Sequence, residues 1–203
     1  MGLSNIRFLN GGYCLQSARF AGSRAWSVRR FYAVFVAFEH PLQGLCLIDT
    51  GYGPALRQAG HGLAGRMMKL ALPVPKGQTF ERADYLQRTH GIAPEDISTV
   101  FLSHFHADHA GGLSLFPNST IVYRPAGLHT LCGLSWTGKL QHGFLEQLVA
   151  PLGEFSTRTI DESQFQAGFD GLPGIQACDY FQDGSLILID LPGHALGHTG
   201  YLL

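Results

Sequence analysis

His104-Phe-His-Ala-Asp-His109 follows directly on the apolar run Ser98-Thr-Val-Phe-Leu-Ser103, and its reading decides the rest of the chain. Three imidazoles and one carboxylate fall within six positions at the end of a stretch that reads as a buried strand. Imidazole and carboxylate are the ligands that a borderline divalent metal such as zinc prefers. A random chain of this composition would contain H-x-H-x-D-H on the order of 0.001 times. The alternative, a solvated polar loop that happens to hold histidines, is therefore the weaker reading.

Two further segments share the pattern of an apolar strand followed by polar residues and glycine. They are Leu47-Ile-Asp-Thr-Gly51 and Ile187-Leu-Ile-Asp-Leu-Pro-Gly-His194. Strand ends on one edge of a sheet can project side chains into a common cleft. Strands are expected at 32–38, 44–49, 99–102, 120–123, 155–160 and 185–190. Helical patches are expected at 80–90, 110–116, 126–131 and 141–149, with a helical turn at 94–96. Residues 51–79 show many Gly and Pro and no clean periodicity. Within them Met67-Met-Lys-Leu-Ala-Leu72 could pack on the chain's own core, line a pocket or meet a partner. Mixed strands and helices around a strand-end site argue for an α/β or α+β layered fold.

The bulk numbers narrow the function classes. A chain of 203 residues fits one domain and can bury a sizeable core. Its net charge of −1 provides no basic field for a nucleic-acid backbone, and the short cluster Arg24, Arg29, Arg30 reads as a solvated face. Apolar runs are far shorter than a bilayer span, and the first residues lack a secretory signal. The reading is a soluble cytoplasmic protein acting on a small molecule, with no nucleic acid and no membrane, and with a homodimer left open. Cys14, Cys46, Cys132 and Cys178 form no C-x-x-C pair and read as scattered thiols.

Asp49-Thr-Gly51, His104-Phe-His-Ala-Asp-His109 and Pro192-Gly-His194-Ala-Leu-Gly-His198 together resemble the metallo-β-lactamase-fold hydrolase superfamily, which includes glyoxalase II-type thioesterases and acyl-homoserine lactone lactonases. The resemblance runs in order from about residue 30 to the last residue. It implies an α+β fold, an αββα four-layer sandwich of two mixed sheets with helices on both outer faces and a metal site at one edge. It also implies that His104, His106 and His194 hold a first metal, with Asp108 and His109 facing a second. Asp108 would also orient the attacking hydroxide. Asp49 would fix a ligand by hydrogen bonding, and His198 would support the site. Read from the residues alone, Asp49 could equally cap a turn beside Gly51, and Asp190 reads as structural.

The implied function is metal-dependent hydrolysis, in which metal-bound hydroxide attacks an ester, thioester or lactone carbonyl. The implied cofactor is one or two Zn2+, with Fe or Mn also compatible. The family pattern continues past Leu203 with a bridging Asp and a last His, so residues 1–203 read as one domain lacking C-terminal strands and a helix. A two-ligand second site would bind its metal weakly, and an uncovered sheet edge is expected. The alternatives are a non-catalytic metal-binding fragment and a mono-iron enzyme like the persulfide dioxygenases. β-Lactam hydrolysis ranks low without an export signal. The isolated histidines His40, His61, His90, His129 and His142 each read as surface or core residues rather than ligands, and only His61 and His142, in expected loops, are kept as candidates.

Overall fold

Alternation along residues 28–40 sets the layering. Side chains of a strand point to opposite faces in turn. In β2 (Val28–His40), Ala33, Phe35 and Ala37 are buried in one core, while Phe38 is buried in another, with Val36 packed against it. The same split recurs in β3 (Gly44–Ile48) and β4 (Ile97–Phe101): Leu47 and Val100 join the first core, and Cys46, Ile48 and Phe101 the second. The end of β2 from Phe35 onward, β3 and β4 are therefore covered on both faces, as their apolar runs demand.

The computed structural model describes residues 2–59, 62–82, 84–168 and 173–203, and His61 lies outside them. With β1 (Ser4–Ser17), β5 (Thr120–Tyr123) and β6 (Ser156–Thr159), these strands form a six-stranded sheet in the order β1-β2-β3-β4-β5-β6. Pairing is antiparallel from β1 to β3 and parallel from β3 to β6. A second sheet contains β7 (Gln166–Ala167), β8 (Gln176–Asp179), β9 (Ile187–Asp190) and β10 (Thr199–Leu202), in the order β10-β9-β8-β7. It is antiparallel throughout its described strands, whereas two mixed sheets were expected.

Seven described α-helices span the middle of the chain: α1 (Ala55–Ala59), α2 (Gly62–Ala71), α3 (Tyr85–His90), α4 (Ala107–Ala110), α5 (Pro125–Gly133), α6 (Trp136–Gln141) and α7 (Glu146–Val149). Buried hydrophobic residues of α1, α3, α4, α5 and α7 join the first core. The second core lies between the sheets, where Phe38, Phe101 and Val122 meet Cys178, Leu186 and Leu188. On the far face of the second sheet, Ala177, Ile187 and Ile189 form a small cluster that contains no described helical residue. The described layers are thus helices, sheet and sheet. Beyond the second core, Phe8, Tyr32 and Val34 are exposed, and β10 forms an edge of its sheet.

Several local expectations shift. Residues 51–79 hold two helices that show no clean periodicity. The 141–149 stretch breaks into α6, a turn and α7, because Gly143 adopts φ 61°, a left-handed conformation that interrupts a helix. The 80–90 stretch is a 3-10 turn followed by α3, and the 110–116 helix is replaced by α4 and a 3-10 turn at 113–115. In the 67–72 stretch, Met67 and Leu70 are exposed and Leu72 packs against the first core. Cys14, Cys46 and Cys178 are buried free thiols and Cys132 is an exposed one. No helix among the described residues is long and apolar enough to cross a membrane.

Candidate metal centre

The parallel register of β3 on β4 pairs Ile48 with Phe101. It therefore brings the residues just beyond both strands, Asp49 and Ser103, side by side. Asp49 adopts φ 63°, an uncommon conformation for a residue with a side chain. Its carboxylate accepts from the Ser103 backbone N–H at Oδ1 and from the Ser103 hydroxyl at Oδ2, both at 2.8 Å. His109 Nδ1 lies 2.7 Å from the same Oδ2. Thr50 secures the far side of the loop. Its backbone N–H and its hydroxyl both donate to the His109 carbonyl, at 2.8 and 2.7 Å, and its Oγ1 accepts from Gly112 N–H at 3.0 Å.

His106 precedes α4, and Asp108 and His109 lie in that helix, which starts earlier than the sequence suggested. His104 is 2% exposed, and its Nδ1 is 2.9 Å from the Ser103 hydroxyl. The turn between α6 and α7 backs the His106 ring. The His142 backbone hydrogen-bonds that ring, and residues 106 and 144 form an isolated β-bridge. A side chain at position 143 would meet His106 Cδ2 at 3.2 Å. His142 thus contributes through its backbone, while its own side chain is exposed.

The second wall comes from residues 194–198, between β9 and β10. It is tied to the first wall by Thr199 N–H donating to the Ser103 carbonyl at 2.9 Å and by Tyr201 O–H donating to the Leu102 carbonyl at 3.0 Å. Helix α5 presses on this loop at Gly127, where an added Cβ would fall on the Leu196 carbonyl. His194 is exposed and His198 half-buried. Asp190 pairs with Arg124 at 2.5 Å, and Arg124 also pairs with Glu162, so Asp190 has the structural role expected of it.

Potential ligand atoms of His104, His106 and His194 all lie within 4.8 Å of one another. The His104 ring centroid is 4.4 Å from that of His106, 4.0 Å from His109, 4.9 Å from His194 and 4.8 Å from His198. His104 Nε2 is buried without a hydrogen-bond partner. An orphaned ring nitrogen facing other imidazoles fits a cation, because a buried polar atom left unpaired is costly. Asp108 Oδ2 stands 3.5 Å from His109 Nε2, so the two remaining predicted ligands are adjacent. His40, His90 and His129 lie outside this cluster. His40 Nδ1 instead accepts from the Leu42 and Gln43 N–H groups.

Charge follows from the surroundings. Burial, together with the neighbouring imidazoles, pushes His104 far below the usual histidine pKa. Burial also lowers His106, and although Asp108 opposes the shift, the result is about 4. Burial and His194 lower His198. His109 goes the other way. Burial disfavours its cation, but Asp49 and Asp108 outweigh that and raise it to about 9. Neutral imidazoles at His104 and His106 are the form that binds a metal.

The residue that sequence reasoning missed is Ser103, whose hydroxyl touches Asp49, His104 and His109. An apolar cavity of about 480 Å³ contains none of these imidazoles. Its lining includes Leu15, Leu56, Leu72, Val74 and Leu145, the last adjoining the turn that backs His106. Arg57 donates to the Val74 and Pro75 carbonyls and pairs with Glu81, holding that wall in place.

Metallo-hydrolase mfmC of Annulohypoxylon moriforme is 37% identical over 108 residues, which cover 53% of this chain and 27% of that protein. N-acyl homoserine lactonase AttM of Rhizobium johnstonii is 30% identical over 174 residues, or 83% of this chain and 58% of the lactonase. The chain thus spans less than two thirds of the length of either relative. A solved structure of a B. thuringiensis AiiA mutant with N-decanoyl-L-homoserine at its active site superposes with a TM-score of 0.65 at 20% identity, covering 99% of this chain and 70% of that one. Residues 33–200 match the Metallo-beta-lactamase superfamily, and with the two-sheet fold and the imidazole cluster at its edge, the chain belongs to that family.

Proposed function

We propose that the chain is the metal-binding part of a hydrolase that opens an ester, thioester or lactone carbonyl in a small molecule. The observation that carries this reading is the convergence of His104, His106 and His194 around the orphaned Nε2 of His104. Imidazole ligands suit zinc, and iron and manganese are compatible with the same set. A bound zinc ion would supply Lewis acidity, lowering the pKa of a ligand water to about 7 and polarising a carbonyl.

The protein's own groups do the rest. His104, His106 and His194 hold the cation, and Asp49 fixes the orientation of the 103–109 wall. Asp108, about one third exposed, accepts a hydrogen bond from the attacking water and, with His109, offers a second and weaker cation position. The similarity to lactonases and the apolar cavity behind Leu145 favour a lactone or ester that carries an apolar tail. Zinc content and turnover of acyl lactones and thioesters of increasing chain length test the proposal. One or more zinc ions per chain, with turnover abolished by His104→Ala and His106→Ala, is the expected result. Metal uptake without turnover would leave a binding module, and no uptake would remove the reading entirely.

A further inference from the structure

We infer that Ser103 is a positioning residue that relays the Asp49 carboxylate to His104 and links the two cation positions through one carboxyl group. The inference rests on the metal reading above. Counting donors fixes the protons. A carboxylate oxygen only accepts, so at 2.8 Å from Asp49 Oδ2 the Ser103 hydroxyl must donate its single proton there. Its oxygen can then only accept from His104 Nδ1, 2.9 Å away. His104 is therefore the Nδ1–H tautomer, and the lone pair of its partnerless Nε2 faces the imidazole cluster. The reverse tautomer would set two lone pairs against each other at Ser103 and leave a buried Nε2–H without an acceptor.

His109 Nδ1 donates to the same Asp49 Oδ2, which leaves its Nε2 beside Asp108. One carboxylate thus orients a ligand of each cation position. Only the His104 connection passes through the serine; His109 reaches Asp49 directly, with the serine oxygen at 3.3 Å. Removing the hydroxyl should loosen the first position more than the second. Outer partners of metal ligands typically contribute about 10–100-fold in affinity.

Two readouts test this. Nitrogen-15 NMR of the metal-free protein should show His104 protonated at Nδ1, and in Ser103→Ala that preference should be lost. Zinc titration against a chelator should show the tighter site of Ser103→Ala weakened by about 10–100-fold, with Ser103→Thr restoring it. A purely structural role would lower the melting temperature without moving the tautomer. An Nε2–H tautomer of His104 in the unaltered protein would overturn the inference, and this needs no variant to fold. Unchanged zinc affinity and tautomer in Ser103→Ala would overturn it too. Failure of the unaltered protein to take up zinc would instead defeat the proposed function, while the tautomer measurement would still decide the role of Ser103.

Discussion

On the 103–109 side of the imidazole cluster, His104 is almost wholly buried and its Nδ1 is held at 2.9 Å by a serine that is itself held by Asp49. On the 194–198 side, His194 is exposed on a loop that follows Pro192-Gly193, and the loop is positioned by backbone contacts to Ser103 and by the close approach of Gly127. One wall is locked by side-chain hydrogen bonds around a buried histidine. The other is placed by packing and stays open to solvent. The difference separates a buried, hydrogen-bonded half of the imidazole cluster from a half that faces solvent.

The largest expected effect comes from emptying each wall in turn. His104→Ala and His194→Ala should each reduce zinc affinity by more than the roughly 10–100-fold that loss of an outer partner costs. Added imidazole should restore binding in His194→Ala, whose position is exposed, and not in His104→Ala. Equal rescue of both, measured by zinc titration, would erase the distinction between the walls.

Asp49→Asn acts on the locked wall alone. An amide presents one oxygen and one NH2, so one of the two positions that together accept three hydrogen bonds becomes a donor facing a donor. Zinc should bind about 10–100-fold more weakly, with the fold retained by circular dichroism. Gly127→Ala acts on the packed wall. The new methyl meets the Leu196 carbonyl, and overpacking of this kind costs about 1–3 kcal/mol, to be read from the denaturant midpoint. Little change there would mean that the 194–198 loop can move aside freely.

The smallest effect concerns pH in the metal-free protein. His106 is depressed in the fold, so the stability it contributes is present above the unfolded value near 6.5 and is lost as pH falls through about 4; His104 is depressed further by burial, and its contribution declines in the same direction. His109 is raised to about 9, so its contribution is full below 6.5 and is lost as pH rises through 9. The melting temperature should therefore peak near pH 6.5 and decline on both sides. A monotonic profile would contradict the opposed environments of these rings.

The clustering of polar groups at this strand end was legible because its chemistry is concentrated in adjacent positions: His104, His106, Asp108 and His109 fall within six residues, and the strand before them is plainly apolar. Ser103 was not legible. Its role depends on the register that sets Ile48 against Phe101, and a serine before a histidine carries no local signal. His142 is an exposed side chain, in keeping with its reading as a surface histidine rather than a ligand. Strands β7 and β8 escaped notice because they are short and begin with glutamine, without sustained alternation. Helices α1 and α2 lay within a stretch whose Gly and Pro content masked them.

Because the triad takes two rings from the end of a strand in the larger sheet and one from the smaller sheet, a bound ion would rivet the two sheets together. Anything that binds only the assembled form stabilises it by RT ln(1 + [L]/Kd). Starving the protein of metal should then loosen the smaller sheet first, with protection from amide exchange fading across residues 187–202 while the helix-backed strands stay closed.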